Sequence, residues 1–330
     1  MRLSVRSGRT FAVTAILALA AGVAAASSAS ADPSPQTRDI VGVGSDTSEF
    51  LVQGLADGAG VGAGYVQGYN ASANARLVSF NATGPSPVVL KAGTAAVTRP
   101  NGSGAGKNTL FGASNNTNVD FARSSSGPSA AENAAGLWHV PFALDTLKTA
   151  TATTSHAPAN ITVAQLVGIY QGTITNWSQI GGTSGVIVPM IPQSGSGTLN
   201  FFLAQLQAAN GGTAVTLAGS VQTVQEHDSA PIAANINAVA PFSVARFNTT
   251  ASGIKLEGGF SADRAIYNVV RNPFRSTAAF TAIFGTDGFI CSGGGLALIE
   301  AAGFKQLAGP LDGGVCGTAT QTATSNFTVN

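Results

Sequence analysis

Apolar residues along Pro192–Leu206, PQSGSGTLNFFLAQL, recur with helical spacing. Leu199, Phe202, Leu203 and Leu206 fall at i, i+3, i+4 and i+7 and mark one buried face. Ser194, Gly195, Ser196 and Gly197 precede that face, and small residues there let the backbone come close to a ligand. The spacing therefore predicts a Gly/Ser turn running into a helix N-terminus. Such an end presents up to four unpaired N–H donors and about half a positive charge, which suits an anion. Ser196 and Thr198 add hydroxyl donors. Taken alone, the same pattern is also that of a capped helix behind a glycine linker.

Three more turns of this kind occur upstream. Asp39–Gly44 reads as a short strand, followed by Ser45, Asp46 and Thr47 ahead of the apolar Phe50, Leu51 and Leu55, which predicts a capped helix. TRPNGSGAGKNTL, residues 98–110, is a Gly/Ser turn carrying Ser103, with Arg99 before it and Lys107 after it. VDFARSSSGPSAAENAAGL, residues 119–137, reads as a strand end over Val119–Phe121 and a helix over Ser129–Leu137, with Arg123, Ser124, Ser125 and Ser126 between them. Strand-to-helix turns gathered in this way are how an open α/β sheet builds a ligand crevice at the carboxyl ends of its strands.

Further along, Leu137–Thr149 is apolar and strand-favouring, and Ile161–Tyr170 predicts a helix capped by Thr162 and ended by Gly172, with Trp177 as a packing anchor. Strands are predicted over Val186–Ile191, Val221–Gln225, Ala238–Val244 and Ile266–Val270, and helices over Ala278–Phe284 and Leu296–Ala302. Residues 56–97 alternate short apolar runs with Gly, Asn and Pro, as strands and loops do.

Composition narrows the setting. Residues 1–31 combine three arginines, an apolar run over Phe11–Ala26 and Ala29-Ser30-Ala31, the signature of a cleavable secretory signal rather than of a membrane anchor. Taking Arg2, Arg6 and Arg9 from the 16 Lys and Arg leaves 13 against 15 Asp and Glu, a formal charge of −2. No basic face is available for nucleic acid or an anionic membrane. Only 9% of residues are charged, so the surface must be polar but largely uncharged. The two cysteines, Cys291 and Cys316, lie in the exported part. A disulfide between them is expected from that compartment, two buried thiols being the alternative. No cysteine follows the signal, so no lipid anchor is expected there.

Over nearly all of the exported part the chain resembles the phosphate-binding proteins of ABC transporters, a branch of the type II periplasmic substrate-binding proteins. The supporting stretches, in order, are VDFARSSSGPS, GTITNWSQIGG, PQSGSGTLNFF, INAVAPFSVARF, ADRAIYNVV and FGTDGFICSGGGLALIEAAGFKQL. The resemblance implies an α/β fold of two lobes with mixed sheets flanked by helices and joined by two crossing strands. It places the first lobe at 38–140 and 246–330, the second at 141–245, and the crossings near His139–Leu144 and Pro241–Arg246. It further implies a secreted, monomeric, non-enzymatic receptor for inorganic phosphate with no cofactor, and an ABC permease as partner. By position it assigns Ser196, Gly197 and Thr198 to the second lobe's donors, and Ser103 and Ser45–Thr47 to the first. Two positions depart from the family pattern. Pro192 and Ser194 stand where RSDGSGT has arginine and aspartate, and Ser125 stands where an aspartate follows DFGAS. The lost arginine is a bidentate fork for the anion, and an aspartate accepts the proton that separates phosphate from sulfate. Arg123 or Arg99 is the candidate replacement cation and Asp46 the candidate acceptor. The alternative is that both arginines pair with carboxylates and Asp46 only caps its helix.

Other classes fit less well. A hydrolase elbow G-x-S-x-G fails at Ser196, and the three histidines, His139, His156 and His227, suggest no triad. The histidines and the two distant cysteines give no metal-ligand spacing. The same fold with an altered site, taking another oxyanion or a surface partner, is the closer alternative.

Overall fold

The computed structural model describes residues 32–307 and 315–319. The expected signal segment, residues 1–31, lies outside the described residues. In chain order the strands are β1 (Ile40–Gly44), β2 (Gly58–Val61), β3 (Gly64–Gln67), β4 (Leu77–Ser79), β5 (Phe121–Ser124), β6 (Leu137–Ala152), β7 (Val188–Pro192), β8 (Gln222–Val224), β9 (Ala238–Ser243), β10 (Ile254–Arg271) and β11 (Lys305–Gln306). The helices are α1 (Glu49–Asp57), α2 (Ser103–Asn108), α3 (Ala130–Ala134), α4 (Val163–Gln171), α5 (Gly197–Ala209), α6 (Ala230–Ala233), α7 (Val244–Thr250), α8 (Ala278–Phe284) and α9 (Gly293–Ala301).

One mixed sheet runs through the molecule in the order β4-β1-β5-β10-β6-β9-β7-β8, with β11 on β6 and a separate β2–β3 hairpin. The outer strands pair in parallel on each side, β4-β1-β5 in one lobe and β9-β7-β8 in the other. Between them β6 and β10 lie antiparallel and belong to both lobes. Residues 121–124 of β5 pair with Tyr267–Val270, while Leu147–Ala150 pair with β9. Arg264 and Asp145 are directly opposite one another where the lobes meet.

The long strands follow from their sequence. LWHVPFALDTLKTATA opens on a run that is apolar at all but His139 as far as Leu144, and it is buried at most positions, as befits a strand covered on both faces. Helices lie on both faces of each lobe. In the first, Leu51, Leu55, Phe121, Ile266, Phe284 and Leu298 pack on one face and Val43, Phe80, Ala122, Tyr267 and Val269 on the other. In the second, Leu166, Tyr170, Trp177, Phe202 and Val239 form one core and Met190, Ala240, Phe242 and Ile254 the other.

Several elements differ from the sequence-based expectation. The predicted strand 266–270 is the end of a strand of 18 residues. Pro241–Arg246 does reach the waist, but as the end of β9 and the first turn of α7; the strand that runs beside β6 through both lobes is β10. In α5 the buried face is Thr198, Phe201, Phe202 and Leu206, with Leu199 and Leu203 only partly covered. The helix after Ser129 stops at Ala134, and Gly136 has φ +71. Ser129 and Thr162 both complete capping boxes, with Glu132 and Gln165.

Cys291 and Cys316 are joined, with their Cα atoms 5.8 Å apart. The bridge pins the segment after α8 to the C-terminal stretch, where Gly317 N–H donates to the Pro141 carbonyl. Replacing both cysteines by serine is expected to lower stability to chemical denaturation by about 3 kcal/mol, the loop-entropy value for a closure of this length. An unchanged midpoint would remove the bridge from the forces holding this region.

Candidate functional site

Four turns that are remote in sequence meet at the waist. Gly44 carries β1 into Ser45-Asp46-Thr47, β5 delivers Ser125, α2 begins at Ser103, and α5 begins at Gly197 behind its N-cap Ser196. Their hydroxyls touch. The Ser125 oxygen lies 3.3 Å from those of Ser45, Thr47 and Ser103, and Thr47 Oγ1 is 3.4 Å from Thr198 Oγ1. The Ser125 N–H donates to Ser103 Oγ at 3.0 Å. Ser196 Oγ accepts from the Leu199 N–H at 3.0 Å and so caps α5. All of these hydroxyl residues are buried.

Backbone approach explains two of the glycines. A Cβ on Gly197 would lie 2.3 Å from Ser103 Oγ and 2.4 Å from Ser125 Oγ, so only glycine lets the mouth of α5 meet the first lobe. Gly102, at φ +97, would press a Cβ within 2.5 Å of the Gly195 carbonyl. Beside it, Gly104 N–H donates to that same carbonyl at 2.9 Å, and Asn101 bonds Gln193 and Gln225 across the gap at 2.9 Å each.

The cation at this point is Arg264. It is fully buried, and its Nε and Nη2 donate to Asp145 Oδ2 at 3.0 and 2.8 Å. Nη1 donates to Thr198 Oγ1 at 2.8 Å, and Nη2 reaches Thr47 Oγ1 at 3.4 Å. Asp145 Oδ1 accepts from Ser243 Oγ at 2.7 Å, which fixes the carboxylate. The pair arises because residues 264 and 145 are direct partners on β10 and β6.

Two neighbours on the loop before α6 complete the cluster. Glu226 Oε1 accepts from Thr47 Oγ1 at 3.0 Å and from the Thr198 N–H at 3.3 Å. His227 Nδ1 accepts from the Ser243 N–H at 3.4 Å, so Nε2 carries the proton and donates to Thr47 Oγ1 at 3.0 Å. Burial, with Arg246 and Arg264 adding to it, holds His227 well below its ordinary pKa. The imidazole is therefore neutral, and its 3.6 Å approach to Glu226 is not an ion pair. His227 also has φ 58, a left-handed backbone uncommon outside glycine.

Asp46 pairs with Arg246, its Oδ1 3.2 Å from Nη2. Burial pushes its carboxyl up to about 7, with Arg246 opposing and Glu226 and Glu49 adding to the rise. A cavity of about 650 Å³ opens there, lined by Asp32, Asp46, Glu49, Phe50, Glu226, Asp228 and Arg246 among others. Arg246 lies over the Phe50 ring at 4.4 Å.

Of the residues singled out from sequence, Ser45, Thr47, Ser103, Ser125, Ser196, Gly197 and Thr198 come together and Asp46 lies beside them. The two candidate arginines do not join them. Arg123 is buried behind the turn, where it donates to Ser79 Oγ at 2.6 Å and to the Ser45 carbonyl at 3.1 Å. Arg99 is tied to Asp32 at 2.6 Å and to the carbonyls of Asn81 and Pro85. Arg264, Asp145, Glu226 and His227 were not anticipated. Their signals are faint: an aspartate behind the apolar run of 137–144, an Asp-Arg pair ahead of the apolar run that starts at Ala265, and QEHD in a chain with few charges. Among the described residues no three His, Cys, Asp or Glu side chains are grouped so as to hold a metal ion.

A family model described as the PBP superfamily domain matches residues 56–256, more than half of the chain. No curated protein sequence matches it significantly. Among solved structures, a putative phosphate ABC transporter substrate-binding protein from Clostridium perfringens, with bound phosphate, is 18% identical, with a TM-score of 0.61 over 81% of this chain and 99% of that one. An ABC-type phosphate transport receptor from Vibrio cholerae is 20% identical, with a TM-score of 0.54 over 81% of this chain and 100% of that one. The fold is that of these two-lobed binding proteins.

Two consequences are measurable. Arg264→Met leaves Asp145 buried without its counter-charge and is expected to cost about 3 to 5 kcal/mol in chemical denaturation. Asp46 has the opposite character. Its folded pKa lies above the unfolded value of 3.8, so its stability penalty is absent below about pH 4, grows as pH rises toward 7 and is constant above that. Between pH 5 and 8 the wild type should lose about 2 to 3 kcal/mol from this group, a loss that Asp46→Asn abolishes. Parallel stability profiles for the two proteins would contradict the assignment.

Proposed function

The chain belongs to the PBP superfamily, and from that premise we propose that it is an extracytoplasmic solute-binding protein that captures inorganic phosphate, or a closely similar oxyanion, between its lobes. The observation that carries the reading is the convergence of donors at the waist. Hydroxyls of Ser45, Thr47, Ser103, Ser125 and Thr198 and the guanidinium of Arg264 form one connected chain of contacts of 2.8 to 3.4 Å at the start of the 13-residue α5. Short neutral donors backed by a helix N-terminus and a fixed guanidinium suit a dehydrated anion. The names of the Clostridium and Vibrio proteins agree with this ligand.

Capture needs no bond chemistry. The anion would meet the first lobe's hydroxyls, and closure about β6 and β10 would add Ser196, Gly197 and Thr198. The ligand can favour closure only through contacts that both lobes make to it. The lobe limits of 38–140 with 246–330 and of 141–245 belong to this reading, except that Ile254 and Phe260 of β10 pack in the second lobe, which moves the return crossing from 241–246 into β10. Export by the segment 1–31, a monomeric state and delivery to an ABC permease belong to it too.

Titration calorimetry with phosphate and then sulfate tests it. Phosphate should bind, and Thr198→Val should weaken it by about tenfold or more, the value of one hydrogen bond to a charged group. Phosphate affinity unaffected by Thr198→Val would put the ligand elsewhere.

A further inference from the structure

The donors at the waist already serve a carboxylate that belongs to the chain. Glu226 Oε1 accepts from a hydroxyl of the first lobe, Thr47, at 3.0 Å and from an N–H of the second, Thr198, at 3.3 Å. One oxygen thus ties the lobes as a bound oxyanion would. Oε2 of the same group is buried and has no hydrogen-bond partner. The surrounding hydroxyls stand 3.3 to 3.4 Å from each other, which is mutual contact. A tetrahedral anion needs each donor hydrogen-bonded to one of its own oxygens, so those hydroxyls must part around it.

The neighbouring charges are otherwise engaged. Arg264 is paired with Asp145, Arg246 with Asp46, and Glu49 accepts from the Ala82 N–H. His227 is neutral at neutral pH. Glu226 is therefore held by the helix mouth and the hydroxyls, the same donors an oxyanion requires. It also has somewhere to go. Glu226 and Arg246 both line the cavity of about 650 Å³, and Arg246 Nε and Nη1 are buried there without a partner.

Given an oxyanion site at the waist, as proposed above, we infer that Glu226 is its internal ligand: the carboxylate latches the lobes through Thr47 and Thr198, and an external oxyanion binds only by displacing it toward Arg246. Glu226 sets both the affinity of the site and the resting closure of the lobes.

The test compares the wild type with Glu226→Ala and Glu226→Gln, using phosphate and sulfate titration together with small-angle scattering. The alanine variant should bind phosphate at least tenfold more tightly than the wild type and gain at least as much for sulfate, since loss of a competing charge favours any oxyanion. Without phosphate it should show a larger radius of gyration that contracts on binding, whereas the wild type should stay nearly constant. Glutamine keeps the shape and an acceptor but not the charge, and should fall between the two; it carries the comparison if the alanine variant fails to fold by circular dichroism. Phosphate binding equal to or weaker than wild type in both variants overturns the inference and leaves the phosphate reading intact. Weaker phosphate binding with sulfate unchanged would make Glu226 an acceptor of the ligand's proton, which also overturns it. No binding by any of the three proteins would remove the phosphate reading and this inference together.

Discussion

The ion pair between Arg264 and Asp145 determines what the waist can do. Burying two charges is costly, and the cost is met only where geometry is good and the remaining polar atoms find partners. Both conditions are satisfied: two guanidinium nitrogens converge on Asp145 Oδ2, while Ser243 occupies Oδ1. The two strands carrying the pair run through both lobes, so the charge is anchored to the hinge and not to either lobe. Arg264 then offers Nη1 and part of Nη2 in fixed directions, to Thr198 in one lobe and Thr47 in the other. A lysine could neutralise Asp145 but would not present planar donors to both sides.

Around this pair the chain uses hydroxyls instead of further charges. Two lobes that close on serines and threonines bring together groups that can donate or accept, so the contact is tolerable with or without an ion between them. Facing lysines or arginines would repel each other in that position. The same economy of charge marks the whole sequence, 9% charged, and makes the few buried carboxylates near the cavity conspicuous. Asp46 shows the consequence, since desolvation outweighs the attraction of Arg246 and its carboxyl titrates near neutrality.

Much of this arrangement was legible in the sequence because it is local. A hydroxyl before a Gly-rich helix start is readable locally, and the hydroxyls of Ser45, Thr47, Ser103, Ser125 and Thr198 lie in one cluster, with Ser196 capping α5 beside them. The helices capped by Ser129 and Thr162 were readable for the same reason. The cation was not. Arg264 is 119 residues from Asp145 and 66 from Thr198, and in sequence nothing separates it from the other charges of the same strand, Lys255, Glu257, Asp263 and Arg271. Arg99 and Arg123 flank the Gly/Ser turns in sequence, yet their long side chains reach backward to carbonyls and to Asp32 or Ser79. Adjacency along the chain fixes where a backbone turns, while the direction of a flexible five-donor side chain is decided by whichever acceptors tertiary packing leaves within reach. The length of β10 was missed for a related reason, because its first half, IKLEGGFSADR, mixes charges and glycines and carries a register shift between Leu256 and Ser261, so only the apolar end reads as a strand.

The loop that carries Glu226 and His227 shows how closure and ligand choice become one question. His227 holds an uncommon left-handed backbone, a strain that persists only where surrounding contacts over-determine it. Those contacts are Ser243 at the waist, Thr47 in the first lobe and Thr198 in the second. His227 is thus a neutral donor that orients the Thr47 hydroxyl, leaving that hydroxyl's proton for an acceptor at the centre. Whatever acceptor stands there receives the same set of donors and joins the same two lobes. The fold therefore does not by itself select the group that closes it: selection falls to the competition between one tethered carboxylate and a free anion of higher charge, decided by how readily the loop releases the carboxylate.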